Sequence, residues 1–455
     1  MYAKLYSKYF YPFYDGILRR RDTFRLLREY EVNQWRSTDE LRLIQWEKLR
    51  KLIAHVYEHV PYYRMQFERI GFSPADLNTP SDMQHLPFLS KKDIRENQGD
   101  MLANNSSSTC LFSSWTGGST GVPIKFKYDR YSYECRIAAS ARADRWSGWE
   151  FGVRELYIWG VRATADSLFL RWKKNIHHLL LRRKIFNSYL FSAETLPRYV
   201  DELNTYKPEI IVGYAGTVAI LAQFIKEKGR WCHSPRAVIA TAEQISPEQR
   251  DLIESVFQAP VFNRYGSREF MIIGMECDQH DGLHLNIDNQ YIEVLKDGKP
   301  VVPGEVGEVV ITDLNNYAMP FVRYKIGDLG VLSDSKCSCG RGLPLLKSVN
   351  GRIMDAIKTR DGRCVTGLFF THLMKDFEEI RQFRVIQKSY DALEIEFVRT
   401  EKYTDECLQY LRREIGKILG DGVGIIFRAV PEIRPLASGK QRITFSELPV
   451  DFGNR

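Results

Sequence analysis

Ser113-Ser114-Trp115-Thr116-Gly117-Gly118-Ser119-Thr120-Gly121-Val122-Pro123 is a loop of glycines and hydroxyls that runs into the alternating Ile124-Lys125-Phe126-Lys127. Three glycines let the backbone approach an anion closely, and Thr116, Ser119 and Thr120 add hydroxyl donors, the composition of a phosphate-cradling turn. It is not a Walker A loop, since no Gly-Lys-Ser/Thr closes it and no helix pattern follows at once. An ordinary Gly/Ser turn between strands has the same composition, so its meaning depends on what accompanies it.

Downstream, strands alternate with helices. Ile210-Ile211-Val212 is a short apolar strand, 217–228 a helix, 237–240 a second strand, Ser246-Pro247-Glu248-Gln249 a helix start and Pro260-Val261-Phe262 a third strand. This alternation predicts a parallel or mixed sheet with ligands at the carboxyl ends of its strands. From about 285 to 333 strands dominate, with a hairpin signal at Asp297-Gly298 between Tyr291-Ile292-Glu293-Val294-Leu295 and Pro300-Val301-Val302. The first hundred residues read as helices: Ser37-Thr38-Asp39-Glu40 opens one, and Leu49, Leu52, Ile53, Val56 and Val60 carry its stripe to Pro61. After Gly351-Arg352 a small β-α-β unit begins, with Leu393, Ile395 and Phe397 on a strand and Leu408, Leu411, Ile415 and Ile418 on a helix. The expected fold class is α/β with α+β elements. Residues 1–105 form the helical part of a large domain, 106–350 a nucleotide- and acid-binding core with a strand-rich subdomain, and 351–455 a small mobile C-terminal lid.

At 455 residues, 44% hydrophobic and 27% charged, the chain can bury a large core. No apolar run is long enough to span a bilayer and no signal-peptide pattern opens the chain, which predicts a cytoplasmic protein. The net charge of +8 suits a mildly electropositive pocket for phosphate or an acidic substrate and does not call for nucleic acid. Arg19-Arg20-Arg21, with Arg25 and Arg28, follows Tyr6, Tyr9, Phe10, Tyr11, Phe13 and Tyr14. That pairing fits weak association with a membrane surface or a partner, and equally a helix packing its aromatic face on its own domain.

Further motifs stand in a fixed order after the opening loop. Thr241-Ala242-Glu243 ends a strand, Tyr265-Gly266-Ser267-Arg268-Glu269 follows the next, and Arg323-Tyr324-Lys325-Ile326-Gly327-Asp328 closes the strand-rich part. Gly351-Arg352-Ile353-Met354-Asp355 precedes the last unit, and Ser438-Gly439-Lys440 lies near the C-terminus. The ordered set resembles the adenylate-forming superfamily of acyl-CoA synthetases, peptide-synthetase adenylation domains and luciferases, over roughly residues 40 to 450. Within it the chain is most similar to the phenylacetate-CoA ligase branch, including CapK-type proteins encoded with capsular polysaccharide genes.

The resemblance implies attack of a carboxylate on the α-phosphorus of ATP with pyrophosphate leaving, which demands neutralised phosphate charge and an aligned attacker. Thr116, Gly117, Gly118, Ser119, Thr120 and Gly121 would bind the β- and γ-phosphates. Ala242, Glu243 and Gly266 would border the nucleotide, Tyr265 would offer a face to adenine, and Glu269 would hold Mg²⁺. Arg268 stands where relatives carry Ser or Thr at the α-phosphate, so either a guanidinium replaces a hydroxyl donor or the local backbone differs. Asp328 would accept both ribose hydroxyls, with Arg352 beside it. Lys440 would bridge substrate carboxylate and α-phosphate in the first of two lid poses, about a hinge near Met354, where relatives often carry Asp or Lys.

The same resemblance sets the acid between Gly213-Tyr214-Ala215-Gly216 and Thr241-Ala242-Glu243. Ala215 and Gly216 leave room, and Tyr214, with Trp115 and Trp159, fits an aryl acid and a carbohydrate alike. The expected reaction is acyl-adenylate formation and then transfer to the thiol of coenzyme A. The alternatives are transfer to an amine, giving an amide on a uronic acid of a capsular or exopolysaccharide, and a nucleotide-binding scaffold without chemistry.

Eight cysteines in a chain read as cytoplasmic favour metal ligation or isolated thiols over disulfides. Cys277, His284, Cys337 and Cys339 offer three thiolates and one imidazole, a closed tetrahedral site for structural Zn²⁺ that would pin two irregular segments. His280 competes as the nitrogen ligand, and unligated thiols are the plain alternative. Cys110, Cys135, Cys232, Cys364 and Cys407 lack partner spacing and read as packing residues, and His177-His178 reads as a solvated helix face.

Overall fold

The computed structural model describes residues 2–106, 111–115, 124–159, 168–188, 191, 194–352, 357–358, 364–365, 370, 373–374, 377–420, 422–434 and 443–448. The phosphate-loop residues Thr116, Gly117, Gly118, Ser119, Thr120 and Gly121, together with Cys110, Met354 and Lys440, lie outside the described residues. The chain divides into two compact units, one of 1–326 and 330–349, the other of 327–329 and 350–455.

The first unit opens with helices. α1 (Tyr2–Leu5) leads into two π-helical stretches, Tyr6–Phe10 and Phe13–Leu18, then α2 (Thr23–Asn33), α3 (Thr38–His59), α4 (Pro61–Arg69) and α5 (Lys91–Glu96). In the π-helical stretches Tyr11 N–H donates to the Tyr6 carbonyl and Arg19 N–H to that of Tyr14, so inward residues fall four or five apart, at Tyr6, Tyr11 and Asp15. The Tyr6 ring sits where Gly152 lacks a side chain; a Cβ there would lie 2.7 Å from it. Ser37 and Glu40 cap α3 reciprocally, and Leu49, Leu52, Ile53 and Val56 are fully buried along it. Pro61 ends that pattern and starts α4, where its missing N–H costs no helical bond.

A ribbon of β1 (Phe112–Trp115) and β2 (Lys125–Tyr128) precedes α6 (Arg130–Arg145). Then β3 (Glu155–Trp159), α7 (Leu168–Leu180), β4 (Arg183–Asn187), α8 (Leu196–Tyr206), β5 (Ile210–Tyr214), α9 (Ala215–Glu227), β6 (Ala237–Thr241), α10 (Pro247–Phe257) and β7 (Val261–Tyr265) alternate. They are followed by β8 (Gly274–Glu276), β9 (Leu283–Leu285), β10 (Gln290–Lys296), β11 (Lys299–Pro300), β12 (Val306–Asp313), β13 (Tyr324–Leu332) and β14 (Leu345–Arg352). Among the described residues β3 to β14 form one twelve-stranded sheet in the order β11-β10-β12-β13-β14-β9-β8-β7-β6-β5-β3-β4. Strands β4, β3, β5, β6 and β7 pair in parallel, and β8 turns antiparallel to β7.

Every residue of β5 and β6 is buried, as expected of strands covered on both faces. Alternation sorts them: Ile210, Val212, Ala237 and Ile239 join the core that holds α3 and α6, while Ile211, Val238 and Ala240 pack with α8, α9 and α10. The hairpin β10–β11 closes on Asp297 and Gly298, with φ of 51° and 78°, the two left-handed positions that a tight hairpin turn requires.

The second unit carries the ribbon β15 (Ile357–Lys358) and β16 (Cys364–Val365), then β17 (Ile380–Ser389), β18 (Ala392–Arg399), α11 (Asp405–Leu419), β19 (Gly424–Ala429) and β20 (Thr444–Ser446). Its four-stranded sheet, β19-β18-β17-β20, packs Val385, Leu393, Ile395 and Ile425 against Leu411, Ile415 and Leu419 of α11. Among the described residues no helix is long and apolar enough to cross a membrane.

Candidate functional site

Strand register sets the predicted turns side by side. Ile158 pairs with Gly213, Tyr214 with Thr241, and Thr241 with Arg264. The carboxyl ends of β3, β5, β6 and β7 thus align Trp159 with residues 214–216, 241–243 and 265–269, along the edge where α/β sheets bind ligands. Trp159 and Tyr214 pack with ring centroids 4.3 Å apart. Ala215 and Gly216 open α9, whose first amides have no partner within the helix. Glu243 supplies one: its Oε2 accepts from Gly216 N–H at 2.9 Å, a carboxylate at the positive end of a helix dipole. A Cβ at Gly216 would lie 2.9 Å from that oxygen, so glycine is what lets the carboxylate approach. Ala242 holds a left-handed φ of 65°, a conformation that costs a non-glycine residue free energy and clusters at functional turns.

After β7 the chain folds tightly. Met271 N–H donates to the Ser267 carbonyl at 2.7 Å and Ile273 N–H to that of Tyr265 at 2.9 Å. A Cβ at Gly266 would lie 2.2 Å from the Met271 carbonyl oxygen, which restricts that position to glycine. The loop leaves Arg268 exposed and buries Glu269, whose Oε1 accepts from the Tyr324 hydroxyl at 3.0 Å. Tyr324 is itself fully buried, and its neighbour Arg323 is spent on Glu293 and on the Leu86 carbonyl. Asp328 is buried four residues further along β13, and Arg352 closes β14.

A second cluster forms between the segments around β9 and before β14. Ligand atoms of Cys277, His284, Cys337 and Cys339 lie within 4.8 Å of one another. Cys277 Sγ is 3.5 Å from Cys337 Sγ, and Cys339 Sγ is 3.4 Å from His284 Nε2. His284 Nδ1 donates to the Leu343 carbonyl at 3.1 Å, which turns Nε2 toward the sulfurs. Burial lowers its pKa to about 4, so the ring is neutral near pH 7, the form that binds metal. His280 is placed elsewhere: its Nδ1 meets Glu276 at 3.1 Å and its ring packs on Phe262. Three sulfurs, one imidazole nitrogen and an oriented second nitrogen fit a structural tetrahedral zinc. Cys135, Cys232 and Cys407 are buried and take no part in this cluster.

Residues 357–447 match the family model described as the CapK C-terminal domain. The chain is 22% identical over 433 residues to protein CapK of Staphylococcus aureus, covering 92% of each, and 24% identical over 418 residues to a phenylacetate-coenzyme A ligase of Thermus thermophilus, covering 86% of this chain and 92% of that one. Among solved structures, a 2-hydroxyisobutyryl-CoA ligase in the postadenylation state superposes with a TM-score of 0.71 at 23% identity, over 89% of each chain. Homologues of this chain are CapK and the phenylacetate-coenzyme A ligases. The fold is that of the adenylate-forming enzymes.

In this homologue of the phenylacetate-CoA ligases, two contacts at the site carry no sequence signal. Tyr324 lies inside a recognisable motif, yet nothing in its spacing tells that its hydroxyl reaches back to Glu269. Glu276 accepts from both Arg250 and the Asn263 amide at 2.8 Å, tying α10 and β7 to β8 beneath the site. Burial works against its charged form, but the bonds from His280 and Arg250 hold its pKa below the usual carboxylate range.

Proposed function

We infer that this chain activates a carboxylic acid with ATP and passes the acyl group to coenzyme A. A carboxylate oxygen attacks the α-phosphorus, the bond to the β-phosphate oxygen breaks, and pyrophosphate leaves. The thiolate then attacks the acyl carbonyl and AMP departs. The observation that carries this reading is the row at the carboxyl edge of β5, β6 and β7, where the motifs of an adenylate-forming enzyme stand next to one another in register. The names of the relatives, ligases of phenylacetate and 2-hydroxyisobutyrate to coenzyme A, support the same chemistry.

In this reading Glu269, oriented by the Tyr324 hydroxyl, would hold Mg²⁺ to neutralise phosphate charge, and Arg268 would meet the α-phosphate. Residues 116–121 take the β- and γ-phosphates and Tyr265 the adenine. Ala242, Glu243 and Gly266 shape the wall between nucleotide and acid, and Glu243 fixes the mouth of α9 through Gly216. Tyr214, Ala215 and Gly216 line the acid pocket, with Trp159 against Tyr214 as an apolar wall. Asp328 takes the ribose hydroxyls and Arg352 a ribose or phosphate oxygen. Lys440 stabilises the charge that develops during adenylation. The cysteine and histidine cluster holds zinc as a brace. ATP and coenzyme A place the reaction in the cytoplasm.

A second reading keeps the same first step and passes the acyl group to an amine, giving an amide on a uronic acid of a capsular or exopolysaccharide. One assay separates the readings: pyrophosphate release with ATP and Mg²⁺ over aryl acids, short hydroxy acids, fatty acids and uronic-acid saccharides, each with coenzyme A, an amine mixture or neither. Release that depends on one acid and turns over with coenzyme A is the expected result, with Lys440→Ala lowering release by about 100-fold or more. Turnover with an amine selects the amide. ATP binding without release from any acid selects the non-catalytic scaffold.

A further inference from the structure

The N-terminal helical segment turns only one side to its own domain. Tyr6 is buried against Gly152, Tyr11 stacks on Phe151 at 4.3 Å, and Asp15 is buried beside Arg21. On the other side Leu5, Tyr9, Phe10, Phe13, Ile17 and Leu18 are 42 to 65% exposed. A second apolar surface adjoins it. The Arg182 guanidinium lies 4.5 Å from the Tyr2 ring centroid. Arg182 follows the last residue of α7 by two positions, which sets the end of that helix beside the segment. On α7 Trp172, Leu179 and Leu180 are 62%, 75% and 50% exposed.

Lys and Arg dominate the charges of both stretches. Residues 2–20 contain Lys4, Lys8, Arg19 and Arg20, and their single acid, Asp15, is buried. Residues 168–184 contain Arg171, Lys173, Lys174, Arg182, Arg183 and Lys184 and no acid; the last two pair with Glu155 and Glu202.

We propose that the face built by residues 2–20 and α7 docks on an anionic lipid surface. Aromatic and aliphatic side chains flanked by Lys and Arg are what enters the headgroup boundary of a membrane while attracting acidic lipid. A second copy of the chain is disfavoured as the occupant, because two such faces would set like charges against each other. The inference goes beyond acid activation and does not depend on it.

Flotation of the full chain with vesicles tests this. Vesicles of phosphatidylcholine with about one third phosphatidylglycerol should carry the protein, and phosphatidylcholine alone should not. Raising salt from about 0.1 M to about 1 M, which shortens the screening length from ~10 to ~3 Å, should release it. Phe13→Ser with Ile17→Ser should cut the bound fraction about tenfold or more, while melting and acid-dependent pyrophosphate release stay unchanged. Failure of the unsubstituted chain to float with anionic vesicles overturns the proposal, as does equal flotation of the doubly substituted chain. If the chain ignores vesicles but forms dimers, or binds an acidic protein, that the double substitution abolishes, the face belongs to that partner and the lipid assignment is wrong.

Discussion

The hydroxyl of Tyr324 on Glu269 is a single contact with a measurable consequence. Tyr324→Phe removes a hydrogen bond to a charged acceptor, a loss of about 1.5–3 kcal/mol, and leaves the ring in place. A titration of pyrophosphate release against Mg²⁺ should show the half-saturating concentration raised about tenfold; an unchanged titration would remove Glu269 from the metal. Asp144 on α6 faces Arg264 at 3.2 Å, and burial, ahead of that favourable charge, pushes its pKa up to about 6. The unfolded value is about 3.9, so between about pH 4 and 6 the folded chain keeps a proton that the unfolded chain has lost. Stability from this group is therefore greatest at the acid end and falls as pH rises through about 6. Denaturant unfolding at about pH 4.5 and 6.5 should show that fall, on the order of 2 kcal/mol, and Asp144→Asn should abolish it. The turns that strand register sets side by side were legible, because glycines and small residues mark where β5, β6 and β7 end. Their bonding partners were not, because Tyr324 is 55 residues from Glu269 and a through-space bond leaves no local pattern.

At the scale of elements, turns decide most. Gly266→Ala would force a methyl onto the Met271 carbonyl oxygen, at a stability cost of about 1–3 kcal/mol and with the displacement of Glu269. Differential scanning calorimetry and the pyrophosphate assay should both register it. The turns bearing Cys277 and Cys337 already meet through Ser338 Oγ, which lies 3.2 Å from both Gln279 Oε1 and Asp281 Oδ2, and a metal on the cysteines would pin them further. Elemental analysis after chelator-free purification should find about one zinc per chain, and Cys337→Ser should lose it along with several degrees of thermal midpoint. The Asp297-Gly298 hairpin and the Ser37 and Ser246 helix starts could be read directly, since each depends on two to four adjacent letters. The choice of His284 over His280 could not: both spacings reach the thiols, and it is Glu276 and the Phe262 ring that draw His280 aside. Strand β17 also escaped, because Ile380-Arg381-Gln382-Phe383-Arg384 mixes charge into its run and pairs with β18 on partner identity that no single strand reveals.

For the molecule as a whole, alternation of strand and helix announced a parallel sheet, and the antiparallel signals after residue 285 announced more strands. That these continue one sheet was hidden in β8 and β9, three residues each, too short for alternation to show. The C-terminal unit has its own sheet and core, so a chain of residues 350–455 expressed alone should unfold cooperatively on heating, with a sigmoidal loss of far-ultraviolet ellipticity. A gradual, linear loss would mean that it borrows its stability from the rest of the chain. One small feature reaches furthest. Gly152, at a φ of 86° and with a tyrosine ring in the place of its absent methyl, is the seat of the N-terminal helix. Descent should have left a trace of this in spelling: kindred sequences with any other letter at position 152 should lack the aromatic opening altogether, so that a single column of an alignment would sort the lineages that carry this helix from those that never acquired it.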